Sequence, residues 1–155
     1  LSFVFHRKNG VRFSLSRIYS NFSLMKKIEV VAAIIKSEHK VLCVQRPKYS
    51  KRYISLKWEF PGGKIKCGET KEEALKREIK EELTLDIGEI QYRLTVDHSN
   101  PDFHLNLHVF SCSVSSGVIF LNEHVAMKWT TIGDLTQLDW AAADIPVVEF
   151  LQTSF

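Results

Sequence analysis

Glu78, Glu81 and Glu82 stand at i, i+3 and i+4 in a run of good helix formers. At 100° per residue they share one arc of about 100°. That arc lies beside the apolar stripe of Leu75, Ile79 and Leu83 rather than opposite it. Two readings fit three glutamates alone. One is a solvated acidic face, tolerated although like charges at i, i+4 cost roughly 0.2–0.5 kcal/mol. The other is a carboxylate cluster at the edge of a core, which suits a hard divalent cation: Mg²⁺ accepts a few carboxylates, keeps waters and shares its remaining shell with substrate phosphates.

The surrounding spacing favours the second reading. From Gly63 the chain runs GKIKCGETKEEALKREIKEELTL, with Glu69 after five intervening residues, Arg77-Glu78-Ile79 after seven more, and then Glu81-Glu82. This pattern resembles the Nudix box, G-x5-E-x7-R-E-U-x-E-E-x-G-U with U aliphatic. The six fixed residues Gly63, Glu69, Arg77, Glu78, Glu81 and Glu82 match. With each type at roughly one residue in fifteen, chance agreement is on the order of 10⁻⁷ per starting position. The final Gly of the box is Thr84 here; a left-handed helix exit suits Gly and suits Thr poorly, so an altered helix exit is expected. The likeness extends to Arg46, the segment Trp58–Lys64, Glu123 with Trp129, and the ending Ala143-Asp144-Ile145-Pro146, which are similar to the MutT-type branch of the superfamily. It covers Met25–Gln152.

The resemblance implies an α+β fold, an α/β/α sandwich around a mixed sheet. It also implies Mg²⁺-dependent (or Mn²⁺-dependent) hydrolysis of a nucleoside triphosphate to monophosphate and pyrophosphate, with oxidised purine nucleotides or CTP as the substrate types. In that scheme Glu78, Glu81, Glu82, Glu123 and the Gly62 carbonyl hold metal. Glu78, or failing it Glu123, activates the attacking water, and Arg77 pairs with Glu69 to brace the loop against the helix. Arg46 and Lys64 are candidates for the phosphates, as cations stabilise charge on a transferring phosphoryl group. Ile28 and Phe60 match base-pocket positions, although a Phe such as Phe60, taken alone, is more often an ordinary core residue. Asp144 matches a base-reading position. A carboxylate accepts from the N4 amino group of cytosine or from the N1–H and N2 edge of guanine; Asp144 could also cap the last helix. Two alternatives stay open: hydrolysis of another nucleoside diphosphate derivative, and a non-catalytic nucleotide-binding module.

These residues need a frame. Ile28–Ile35 is apolar apart from Glu29, as a strand buried on both faces reads, and Val41–Gln45 is a second strand. Residues 47–57 form a basic loop. Thr70 with Glu73 makes a capping box that opens a helix running to Leu83. Glu89–Val96 and Phe103–Val114 read as strands joined by the polar loop 97–102 with Asn100-Pro101 at its turn. Val125–Thr130 is another strand. A short helix starts at Ile132, and a last one at Pro146 with Asp144 as its N-cap. His104 and His108 share the wetter face of the second long strand and read as satisfied structural residues.

Composition closes off other classes. The 155 residues are 45% hydrophobic and 25% charged, near the globular average, so disordered and fibrous classes are excluded. No apolar run nears the roughly 18 residues of a membrane span. The net charge of +3 is misleading about nucleic acid. Residues 1–24 hold Arg7, Lys8, Arg12 and Arg17 and no acid, so the remaining 17 of 21 basic residues face all 18 acids in 25–155. A nucleic-acid footprint belongs on the folded domain, and neither nucleic acid nor membrane is expected as a partner. Cys43, Cys67 and Cys112 show no metal or disulfide spacing, which points to a reducing, cytoplasmic setting; a monomer or homodimer is expected. Residues 1–24 read as an N-terminal extension ahead of a 25–155 domain: sequence upstream of the real start, a disordered arm, or a targeting peptide.

Overall fold

The structure is a computed structural model that describes residues 26–154. The N-terminal extension and the boundary expected at Met25 lie outside the described residues. In chain order the elements are β1 (Lys26–Ser37), β2 (Lys40–Gln45), β3 (Trp58–Glu59), β4 (Gly62–Lys64), α1 (Lys71–Leu83), β5 (Asp86–Ser99), β6 (Phe103–Ser116), β7 (Ala126–Thr131) and α2 (Ile145–Ser154). Two 3₁₀ turns, Ile132–Gln137 and Ala142–Asp144, lead into α2.

The continuous apolar run in β1 makes it the centre of a mixed sheet in the order β3-β2-β1-β6-β5. β1 runs parallel to β6 over ten residue pairs. Its other edge is shared, with β4 pairing at Val30–Ala32 and β2 at Lys36–Ser37. β7 joins the outer edge of β2. Side chains alternate across β1 with a period of two. Val31, Ala33 and Ile35 meet Ala74, Leu75, Ile79 and Leu83 of α1. Ala32 and Ile34 meet Leu135 and Val147, Val148 and Leu151 of α2. Helices therefore cover both faces, giving the α/β/α sandwich. Among the described residues no helix is long and apolar enough to cross a membrane.

The capping box forms as its spacing predicts: Glu73 N donates to Thr70 Oγ1 at 3.2 Å and Thr70 N donates to Glu73 Oε2 at 2.8 Å. Such a cap holds the helix start by about 1 kcal/mol. The helix exit is not altered in the way the Thr84 substitution suggested. Thr84 takes the left-handed conformation, φ 64° and ψ 16°, and its N–H reaches Lys80 O. The long hairpin extends further than expected, since β5 continues to Ser99 and leaves only residues 100–102 for the turn. Zipped along it, both ring nitrogens of His104 and of His108 are bonded: His104 to Asp97 and Ser99, His108 to Glu29 and Thr95. The three cysteines are free, Cys43 and Cys112 buried and Cys67 exposed.

Candidate active site

The loop at Gly62 crosses β1 so closely that no side chain fits there. Gly62 sits at φ +151°, and a Cβ there would come 2.1 Å from Val31 O. A Cβ on Gly63 would come 2.4 Å from Glu78 Oε2, so the space a methyl would fill holds the Glu78 carboxylate. Gly62 N donates to Glu82 Oε2 at 3.1 Å. The two glycines thus let α1 press two of its acids onto the loop.

Arg77 locks that arrangement from behind. Its Nε and Nη2 donate to the two oxygens of Glu69 at 2.5 and 2.8 Å. Nη2 also reaches Lys64 O at 3.0 Å, while Nη1 donates to Glu78 Oε1 at 2.6 Å and to Glu81 Oε2 at 3.2 Å. A planar fork suits this multidentate grip. The Arg77 bonds, helped by the Lys66 N–H, draw the Glu69 carboxyl down to about 2. The arc of three glutamates is split by burial: Glu82 is 5% exposed, whereas the Glu81 side chain is 46% exposed.

Glu123 arrives from a distant loop because the end of α1 needs donors. The last carbonyls of a helix lack intrahelical partners. Here Asn122 Nδ2 donates to Glu81 O at 2.7 Å, Asn122 N to Glu82 O at 3.0 Å and Phe120 N to Leu83 O at 3.1 Å. That strapping brings Glu123 close enough to bear on Glu82. Burial first, then the charges of Glu59, Glu78 and Glu123, push the Glu82 carboxyl up to about 9 against the opposing Gly62 N–H.

Glu59 and His124 are residues the sequence reading did not single out. Glu59 Oε2 accepts from Arg46 Nε at 2.5 Å and also pairs with Arg46 Nη2. Its Oε1 accepts from His124 Nε2 at 3.1 Å. The only signal available was the position of Glu59 in the Trp58–Lys64 segment; the 65-residue gap to His124 leaves no local pattern.

Phe60 is 2% exposed and stacks on Trp140 at 4.8 Å between ring centroids. Asp144 does not turn its carboxylate to the start of α2 as an N-cap would. It lies inside the preceding 3₁₀ turn, and its Oδ1 accepts from Phe60 N at 3.0 Å. Burial, reinforced by the charge of Glu59, pushes its carboxyl up to about 8, against the Phe60 N–H and Arg46.

One cleft of about 880 Å³ is lined by Ile28, Arg46, Phe60, Gly62, Lys64, Glu78, Glu81, Glu82, Glu123 and Asp144. Ten of the candidate residues are thus brought to one wall system, and its size fits a nucleotide-sized ligand. Arg77 and Glu69 lie behind the lining. Among the described residues no three His, Cys, Asp or Glu side chains form a closed ligand set. The donor chemistry nevertheless fits a hard cation: Gly63 keeps open the space that Glu78 occupies, and the repulsion felt by Glu82 is what a divalent ion would relieve.

Comparison with known proteins agrees with this geometry. Residues 25–151 match the NUDIX domain model. The CTP pyrophosphohydrolase of Escherichia coli K12 is 36% identical over 125 residues, covering 81% of this chain and 91% of that protein. The 8-oxo-dGTP diphosphatase of Proteus vulgaris is 41% identical over 86 residues, 55% of this chain and 75% of that protein. A solution structure of MutT, a Nudix hydrolase from methicillin-resistant Staphylococcus aureus 252, superposes with a TM-score of 0.68 at 38% identity, covering 85% of this chain and all of that one. With the box, the sandwich and the acidic cleft in one unit, the chain belongs to the Nudix hydrolase family.

Proposed function

We propose that the chain is a divalent-metal-dependent pyrophosphohydrolase of (deoxy)nucleoside triphosphates. Water cleaves the anhydride between the α and β phosphates, releasing a nucleoside monophosphate and pyrophosphate, and oxidised or modified nucleotides of the 8-oxo-dGTP or CTP type are the substrates. The observation that carries this reading is the cleft, which combines five glutamates and three cationic side chains with an apolar, Asp144-bearing wall. The names of the relatives in E. coli and P. vulgaris support the same substrate class.

Gly62 O, Glu78, Glu81, Glu82 and Glu123 are the groups that would hold Mg²⁺. When bound, the ion supplies Lewis-acid polarisation of phosphoryl oxygens and lowers the pKa of water. The chain's own residues do the rest. Arg77 occupies Glu78 Oε1 and leaves Oε2 to accept a proton from the attacking water. Arg46 and Lys64 offer cationic donors to the phosphates. Ile28 and Phe60 supply apolar surface to the base. Asp144, carrying its proton below about pH 8, offers a donor as well as an acceptor to the base edge.

The test is a panel of (d)NTPs, including 8-oxo-dGTP and a 5-substituted CTP, scored for pyrophosphate with Mg²⁺ for the native chain and Asp144→Ala. Preferential turnover of one nucleotide that collapses towards uniform rates in Asp144→Ala is the expected result. Selectivity that survives the substitution would remove Asp144 from base reading, and no pyrophosphate from any nucleotide would defeat the proposal.

A further inference from the structure

Glu59 lines the cleft with Arg46 and His124, yet it is surrounded by acids and none of its own bonds reaches the metal-holding groups. Its side chain is 14% exposed, and both oxygens are committed, one to each partner. We infer that Glu59 is a positioning residue for the reaction, holding the Arg46 guanidinium ready for phosphate with one oxygen and the Glu123 arm in place, through His124, with the other. This rests on the triphosphate reading above.

The Arg46 geometry supports it. Only the Nε–Nη2 edge is engaged by Glu59, and among the described residues Nη1 has no protein partner. A long guanidinium stem loses substantial rotamer freedom on being fixed. A carboxylate that fixes it in the free enzyme leaves less to lose when the anion binds. The second oxygen acts on the adjacent segment that leads into β7, at the same end of the β2–β7 pair. His124 has a side chain only 4% exposed and follows Glu123 directly; Val125 N beside it is anchored on Gln45 O at 3.0 Å. A buried ring held at Nε2 restrains the backbone that carries Glu123. Glu59 on β3 therefore joins a group just after β2 to one in the loop before β7.

A purely structural role would let Glu59→Gln lower stability and leave the two kinetic constants to change independently of Arg46. Positioning predicts coupling instead. With the best (d)NTP and Mg²⁺, Glu59→Gln should raise KM about ten-fold, about 1.4 kcal/mol. Arg46→Ala should raise KM at least as much, and the double variant should be no worse in KM than Arg46→Ala alone. His124→Ala should lower kcat with KM nearly unchanged. Melting curves on the same samples identify any variant that is unfolded, and Glu59→Ala provides a second substitution if Glu59→Gln fails to fold. KM effects that simply multiply in the double variant, or an unshifted KM in a folded Glu59 variant, would overturn the inference while leaving the triphosphate activity standing. A native chain that turns over no triphosphate would overturn both.

Discussion

Replacing Asp144 by Asn should change how stability depends on pH, and the size follows from its surroundings. Asp144 is 5% exposed, and burial with the nearby Glu59 charge lifts its carboxyl from 3.8 to about 8. In the unfolded chain it titrates near its ordinary value, so between pH 4 and 8 the native state carries a proton that the unfolded state lacks. A raised pKa of this kind contributes stability that is complete below pH 4 and is lost as pH rises through about 8. The slope is at most about 1.4 kcal/mol per pH unit. Asn keeps an amide oxygen to accept from Phe60 N but does not titrate. Between pH 5 and 7 the native protein should therefore lose up to about 2.7 kcal/mol relative to Asp144→Asn. Glu82, also raised, titrates in both proteins and cancels in the comparison. Urea unfolding at pH 5, 6 and 7 in metal-free buffer measures the gap directly, provided the m-values agree. A gap that stays constant across that range would refute the assignment of a protonated, buried Asp144.

Three other perturbations have definite expected outcomes. Gly63→Ala puts a methyl 2.4 Å from Glu78 Oε2, so the carboxylate must move; kcat should fall by about 10²-fold or more while the melting temperature changes little. Thr84→Gly relieves a β-branched residue held at φ 64°, and after the added chain entropy should stabilise by about 0.5–1 kcal/mol, a rise of about 1–4 °C by calorimetry. Excess EDTA should abolish turnover, and Mg²⁺ at about 100 times its Kd should stabilise the native chain by about 2.7 kcal/mol in thermal melts. That Mg²⁺-dependent gain should be largely lost in Glu82→Gln; an undiminished gain would remove Glu82 from the metal-holding set.

What could be read from sequence was what local pattern dictates. The apolar run of β1 points to a strand buried on both faces, which α1 and α2 cover, and Thr70 with Glu73 marks the start of α1 to the residue. The Glu78–Glu82 spacing identified one helix arc, but only packing shows that Glu82 is enclosed while Glu81 faces water. Groupings made by tertiary contacts were not legible in local pattern, and Glu123 was named only through the family resemblance. Glu123 reaches the cleft because Phe120 and Asn122 satisfy carbonyls at the end of α1, a need visible only once the helix has neighbours. Glu59 and His124 meet across 65 residues. Thr84 misled in the other direction. Propensity argued against a left-handed exit, yet strapping by the 117–125 loop and the Lys80 carbonyl holds it there, an instance of tertiary context overriding local preference. Asp144 was assigned to the helix it precedes because a cap is a local motif, whereas its partner, Phe60 N, lies 84 residues away.

The central claim is that the acids of one cleft direct water at the α–β anhydride of a nucleoside triphosphate, with Glu78 as the proton acceptor. The most direct measurement is product analysis of the best (d)NTP by ion-exchange chromatography, for the native chain and Glu78→Gln side by side. The account predicts monophosphate and pyrophosphate in equal amounts from the native chain, with turnover reduced about 10²–10⁴-fold in a folded Glu78→Gln. Diphosphate with inorganic phosphate as the products, or undiminished turnover in Glu78→Gln, would contradict it.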